Sequence, residues 1–347
     1  MDTLEHIPFY DHHAHAFYHE SLWREAPLDA YFTEAYDPVI QQRFAPDTLF
    51  FRRSMRDLGE LYGCEPNAAA ISAVRAQRDY AELCTDLLKR ANIQHLLIDD
   101  GFWPDRLWSV QQTQARLPLP VRRVVRIENE LEKLMAHHDT AGSLLSALEG
   151  ALREAGQSAA GFKSIIAYRT GLDIAASSAP ELERSFGQAR RVGGQLNEKP
   201  LLDGALLLGL RIAAELGLPV QFHTGYGDPD LDMRLANPLH LRSVIERPEL
   251  AALQVVLLHC YPYVREAGYL ASVYRGVYLD LGLTIPYTSV AAMRAALHEA
   301  LHLAPVTKVL ISSDAQRTPE LYWLAARWAR RTLSQVLRQT VEDGDLS

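Results

Sequence analysis

Three histidines fall within four positions of FYDHHAHAF, residues 9–17: His12, His13 and His15. One alanine separates His13 from His15. At that spacing two side chains share one face of a strand, because strand side chains alternate. His12 then points the other way and takes a structural or supporting role, while Asp11 is placed to orient a neighbouring imidazole. Four more ionisable residues interrupt apolar runs further along: Lys163 in GFKSIIAYR, His223 in LPVQFHTGYG, His259 in VVLLHCYP and Asp314 in KVLISSDA. Burying Lys, His or Asp among apolar neighbours is costly unless the group is paired or bound to a metal. One shared cation removes that cost for all six. Taken singly, each has an ordinary explanation. His223 or His259 reads as a hydrogen-bonded core histidine, Lys163 as an ammonium paired with a carboxylate, and Asp314 as a helix N-cap, although Thr318 is better placed for that job. Found together at strand ends, they point to a metal centre.

The chemistry follows from the donors. A divalent ion held by imidazole nitrogen and carboxylate oxygen, with one position open, activates water toward a polarised carbonyl. In that chemistry Asp314 and His259 are the catalytic residues. Asp314 ligates the ion and carries a proton from water to the leaving group, and His259 polarises the carbonyl or binds a second ion. Zinc is the first choice for this donor set; manganese and iron also suit it, and one or two ions remain open. Tyr168 and Arg169 follow Lys163 and are the substrate-binding candidates. Arg169 suits a bidentate contact to a substrate carboxylate, with a structural salt bridge as the equal alternative. The stretch GYGDPDLDMRLANP after His223 has the composition of a pocket loop, in which Asp228, Asp232 and Asn237 contact substrate or shape turns.

These residues need elements to carry them. Eight short apolar runs bounded by turn residues recur at 7–15, 93–102, 121–128, 161–169, 218–227, 255–262, 276–283 and 308–315. Val, Ile and Leu in continuous runs suit strands buried on both faces of a parallel sheet. Between them lie helical stretches such as LLSALEGALREAG, ALLLGLRIAAELG and SVAAMRAALHEALH. The alternation predicts an α/β fold: a single distorted (β/α)8 barrel of the TIM type over 1–347, with catalytic groups at strand C-termini. Residues 16–92 exceed what one crossover needs and are expected to form a helical insert capping one mouth. The C-terminal YWLAARWARRTLSQVLRQTVEDG reads as an amphipathic helix whose Trp323 and Trp328 serve packing.

Composition narrows the function classes. The chain has 347 residues, 48% hydrophobic and 22% charged, with net charge −8. An acidic protein with scattered basic residues is not expected to bind nucleic acid. Cys64, Cys84 and Cys260 form no CxxC pair, and their odd number fits no disulfide framework, which suits a reducing cytoplasm. The N-terminus MDTLEHIPFYDHH has no signal-peptide core, and no apolar run reaches the roughly 18 residues that span a bilayer. The partner expected is a small-molecule substrate, with neither membrane nor nucleic acid involved. A homo-oligomer is a further expectation, with aromatic residues of 16–60 as its contact surface.

The set His13, His15, Lys163, His223, His259 and Asp314 resembles the ligand pattern of the amidohydrolase superfamily. GFKSIIAYRTGL, VQFHTGYGDPDLDMRLANPLHLR, LLHCYPYVREAGYLASVY and KVLISSDAQRTPE look like its amidohydrolase-2 branch, most similar to the nodulin-like regions fused to glutamine-synthetase-type domains. The resemblance covers residues 5–335. It implies a metal-dependent hydrolase acting on a C–N bond. It also implies that Lys163 is carboxylated and bridges two ions if the site is binuclear; in a mononuclear site His13, His15, His223 and Asp314 hold the ion and His259 assists. The branch also contains non-oxidative decarboxylases of small carboxylic acids, the alternative reading, in which a fourth-strand lysine is not expected.

Overall fold

Each apolar run carries one strand in the computed structural model, which describes residues 4–192 and 195–346. The strands are β1 (Phe9–Ala14), β2 (Ile93–Asp99), β3 (Val121–Arg126), β4 (Gly161–Ser164), β5 (Val220–Thr224), β6 (Val255–His259), β7 (Val277–Asp280) and β8 (Val309–Leu310). They follow one another in sequence order as a parallel sheet with helices between them, the topology of a distorted (β/α)8 barrel. Strand β8 is only two residues long, so Asp314 lies beyond it rather than closing it. Backbone contacts divide the chain into two compact units. The first comprises Met1–Val121, Leu281–Glu299 and Ile311–Ser347; the second comprises Arg122–Asp280 and Ala300–Leu310. Among the described residues, no helix is long and apolar enough to cross a membrane.

In the first unit, β1 pairs in parallel with β2, with register irregularities between Phe9 and Tyr10 and between Asp11 and Ala14. The stretch between these strands holds the helices Glu20–Glu25, Leu49–Tyr62, Ala68–Arg75 and Tyr80–Arg90. Three of its helices start where side chains cap them: Thr48, Asn67 and Asp79 accept from the backbone N–H of Phe51, Ala70 and Glu82. Its aromatic residues are mostly core. Phe17, Tyr18, Trp23, Tyr31, Phe32, Phe50 and Phe51 are buried, and of the aromatics in 16–60 Tyr36 and Phe44 are exposed. The helix Pro319–Glu342 packs along the helix Tyr80–Arg90, and its Trp323 and Trp328 are buried. Trp328 donates through Nε1 to Asp57 Oδ2 at 2.7 Å, beneath the Arg53 guanidinium, 4.0 Å from the ring.

A buried ion pair ties the insert to that last helix. Arg75 Nε lies 2.7 Å from Glu320 Oε1, with the side chains 5% and 0% exposed. Tyr62 donates its hydroxyl to the same oxygen at 2.9 Å, Thr318 donates to Glu320 Oε2, and Arg75 Nη2 donates to Thr318 at 3.0 Å. A buried pair with this many partners is tolerated; one left without its counter-charge is not.

In the second unit, β3 to β8 pair in parallel in chain order. Strands β4, β5 and β6 are buried at every position. The apolar stretch LLDGALLLGLRIAAELGLPV forms the helix Lys199–Leu216, ends on Gly217 at φ 66°, and runs into β5. Gly209 lets this helix approach its neighbour, since a Cβ there would meet Ile127 Cδ1 at 2.7 Å. The exit of β4 is held by Glu128, which is 2% exposed. Glu128 Oε1 accepts from Ser164 Oγ at 2.6 Å and from Ile165 N at 3.0 Å. Oε2 has no hydrogen-bond partner among the described residues. Burial pushes this carboxyl above the usual glutamate range, against the pull of the Ser164 hydroxyl.

Two predictions follow from these ties. Arg75→Met leaves Glu320 buried without its counter-charge and should cost about 3–5 kcal/mol in urea denaturation; a loss below about 1 kcal/mol would contradict the structural role. For Glu128 the fold favours the protonated form. Its contribution is present below the unfolded glutamate pKa of about 4.3 and is lost as pH rises through the higher folded value. Glu128→Gln keeps the acceptor and should therefore gain stability over the wild type from pH 4 to pH 8; a flat difference across that range would refute the burial argument.

Candidate metal centre

The first unit brings together the histidine pair and Asp314. Donor atoms of His13, His15 and Asp314 all lie within 4.8 Å of one another. Asp314 Oδ1 is 3.1 Å from His13 Nε2 and 3.5 Å from His15 Nε2, and the ring centroids are 5.4 Å apart. His15 Nδ1 lies 3.1 Å from the backbone oxygen of Asp99. That oxygen can only accept, so Nδ1 carries the proton and Nε2 presents its lone pair toward Asp314. This is the tautomer a metal-binding histidine needs. Two imidazole nitrogens and a carboxylate oxygen in one cluster, with His13 buried and His15 and Asp314 half-buried, are a donor set that fits a divalent transition ion.

Asp314 is positioned from β1. Asp11, fully buried, accepts from Ser313 N at 2.9 Å and from Ser313 Oγ at 2.5 Å, and Ser313 Oγ accepts from Ala315 N at 2.9 Å. The backbones then zip together: Asp314 N donates to His13 O at 3.1 Å, and His15 N to Ala315 O at 2.8 Å. Tyr322 donates its hydroxyl to His15 O. Asp314 itself sits at φ 49°, in the left-handed region.

The second unit groups His223, His259 and Tyr168. The His223 and His259 rings are 4.7 Å apart, Tyr168 is 4.4 Å from His223, and its hydroxyl is 3.4 Å from His223 Nδ1. Alternation alone does not produce this. In the register of β5 with β6, His223 lies beside Leu258 and Thr224 beside His259, which assigns the two histidines to opposite faces. His259 has φ 68° and Cys260 φ 63°, and this left-handed exit turns the His259 ring toward His223. Asp280 Oδ2 lies 3.4 Å from His259 N, and Thr224 donates to Leu258 O at 2.7 Å. Gly227 lies against the same group, since a Cβ there would come 2.1 Å from the Tyr168 hydroxyl and 3.0 Å from His223 Nε2.

Lys163 is buried on β4, in register with Arg126 on β3 and Gln221 on β5. Arg169 is ion-paired with Glu132 at 3.4 Å. Asp228, Asp232 and Asn237 each accept from the backbone N–H two residues on, which makes them turn-shaping residues. Sequence reasoning did not single out Glu128, Ser313 or Arg317. Their burial and long-range partners leave no local pattern, although the hydroxyl of Ser313 directly before a candidate ligand was a signal of sorts.

The amidohydrolase family matches residues 125–342. The chain is 32% identical over 391 residues to protein fluG of Emericella nidulans, an alignment covering 99% of this chain and 44% of that protein, so it spans less than half its relative's length. A solved Lactobacillus casei protein described as a metal-dependent hydrolase superposes with TM-score 0.86 at 33% identity, covering 96% of this chain and 90% of that one. Uronate isomerase of Thermotoga maritima matches with TM-score 0.63 at 14% identity, covering 99% and 90%, a likeness of fold alone. The family implies a divalent metal, for which His13, His15 and Asp314 are a candidate site. With more than half of its length matched, including the stretch that holds Lys163, His223, His259 and Asp314, the chain belongs to the amidohydrolase family.

Proposed function

We propose that the chain is a zinc-dependent hydrolase that cleaves an amide or other C–N bond of a small molecule. The observation that carries this reading is the clustering of His13, His15 and Asp314 donor atoms within 4.8 Å, with His15 Nδ1 held by the backbone oxygen of Asp99 so that Nε2 faces Asp314. The likeness to the Lactobacillus casei metal-dependent hydrolase supports it. In this reading Lys163, His223 and His259 are further ligands, with Lys163 carboxylated where two ions are bound. A divalent ion supplies Lewis acidity, polarising a carbonyl and making water a competent nucleophile near neutral pH. The chain's own residues do the rest. Asp314 turns Oδ1 to both imidazoles, and we assign Oδ2 to take the proton from the attacking water and deliver it to the departing nitrogen. Where one ion is bound, His259 instead orients the carbonyl. Tyr168 fixes the His223 ring through Nδ1, and Tyr168 and Arg169 line the substrate side.

Metal analysis of the purified protein, then a panel of N-acyl and γ-glutamyl amides, tests the reading. Release of ammonia or an amine supports hydrolysis, whereas carbon dioxide would favour the decarboxylase alternative. His13→Ala, His15→Ala and Asp314→Ala should each lose bound metal. Each should also lose activity by on the order of 100-fold or more, since even a supporting partner of a ligand is worth 10–100-fold in affinity. Variants that keep both would sink the assignment. Labelling with 13C-bicarbonate should give a carbamate resonance that Lys163→Arg lacks; no such signal would leave Lys163 an ammonium. Ser313→Ala removes one arm of the Asp11 contact and should weaken metal binding about 10-fold with the thermal midpoint little changed. Unchanged affinity would show that Asp314 holds its place without it.

A further inference from the structure

Arg317 is a buried cation with little to satisfy it. It follows Asp314 by three residues, and its backbone lies beside the residues that follow His15. Arg317 N donates to Ala16 O at 2.9 Å, and Tyr18 N to Arg317 O at 3.0 Å. It is 8% exposed and has φ 67°, a left-handed conformation that a non-glycine residue holds only at a cost. The guanidinium lies over the rings of Tyr31, at 5.4 Å, and Trp103, at 5.8 Å. A guanidinium has five N–H donors. Here Nη1 makes one long bond, 3.3 Å, to Ala30 O, and Nε has no hydrogen-bond partner. Among the described residues no carboxylate is ion-paired with it.

Other buried arginines of the unit are better served. Arg75 has Glu320 at 2.7 Å. Arg330 donates to the carbonyls of Ala91, Ile7 and Asn92. Arg53 donates to those of Pro286 and Thr288. A buried charge without a partner is expensive, and one retained this close to a candidate ligand calls for an anion supplied from outside the chain.

We propose that Arg317 anchors a carboxylate of the substrate, so that the substrate is a small organic acid whose scissile C–N bond lies several bonds from its acid group. This rests on reading His13, His15 and Asp314 as the reacting centre. The Tyr31 and Trp103 rings lie against the guanidinium, whose planar fork matches a planar carboxylate. A line of rings leads from the centre to the anchor: Phe102 is 5.0 Å from His15, Trp103 stacks on Phe102 at 4.5 Å, and Arg317 lies over Trp103. Three residues also keep the backbones of Asp314 and Arg317 within about 11 Å. The other guanidinium on Trp103, that of Arg106, belongs to an exposed residue. One buried cation matches one negative charge, which favours a carboxylate over a phosphate dianion.

Calorimetry on the metal-loaded full chain tests this with succinate, its uncharged diamide succinamide and inorganic phosphate as probes. Arg317→Gln should weaken succinate by at least ~10-fold, the size of one lost charge-assisted contact. Succinamide binding and metal content should stay as in the wild type. Equal effects on succinate and succinamide, loss of metal from Arg317→Gln, or a larger effect on phosphate than on succinate would each overturn the proposal. If Arg317→Gln does not fold, Arg317→Lys decides. The charge stays but the fork is lost, so succinate should weaken by ~3-fold or more with succinamide unchanged, and unchanged succinate binding refutes the anchor. Metal content of His13→Ala and His15→Ala is measured alongside. If those variants keep the ion, the reading of the centre fails, whatever Arg317 does.

Discussion

The carboxylate of Asp11 stands where a strand is missing. Strand β8 stops at Leu310, and no ladder carries the chain from there to Asp314. Asp11 instead takes both the N–H and the hydroxyl of Ser313, and that hydroxyl takes the N–H of Ala315. Bonds between 13–18 and 314–317 follow in turn. A buried carboxylate accepting from two donors is compensated where a lone one is not. Serine is suited to position 313 because one short side chain both donates to Asp11 and accepts from the backbone beyond. The tie thus adds to the backbone bond from Asp314 N to His13 O in holding Asp314 against the imidazoles.

Backbone strain collects at the same residues. His259, Asp314 and Arg317 all have positive φ, as does Cys260. Each such residue costs on the order of 1–3 kcal/mol and persists because its neighbours over-determine it. At His259 the strain has a visible purpose, since it turns the ring across the alternation of β6 to meet His223. The neighbouring Cys260 is no rival for the chemistry. Burial pushes its thiol up to about 12, well out of the range of a nucleophile.

Much of the fold was legible because a strand buried on both faces writes itself as a continuous apolar run, and each of the eight runs contains one. The run 308–315 overstated its strand because Ser313 makes side-chain bonds in place of a ladder. The HxH spacing put His13 and His15 together for the simple reason of period two. His259 was readable as a residue and unreadable as a direction, because a positive φ in a non-glycine residue has no sequence signal. Asp11 read as a support for an imidazole; its bonds to Ser313, a residue 302 positions away, left no local signal. Arg317 looked like any arginine in a loop. Its meaning lies in what the folded chain withholds from it, and no local pattern records a missing partner.

The segment 313–320 therefore joins several demands on one short stretch: the Ser313 tie, the Asp314 carboxylate, the Arg317 cation, and the anchor of Thr318 and Glu320 on Arg75. Placing an anion and a cation three residues apart on rigid backbone has a chemical consequence. A carboxylate-bearing substrate has two oxygens that compete with its scissile carbonyl for a divalent ion. Under the proposed reading, the Arg317 guanidinium would draw the acid group away from the Asp314 end of the site, and binding energy from the acid end would then be spent on orienting the carbonyl that must react.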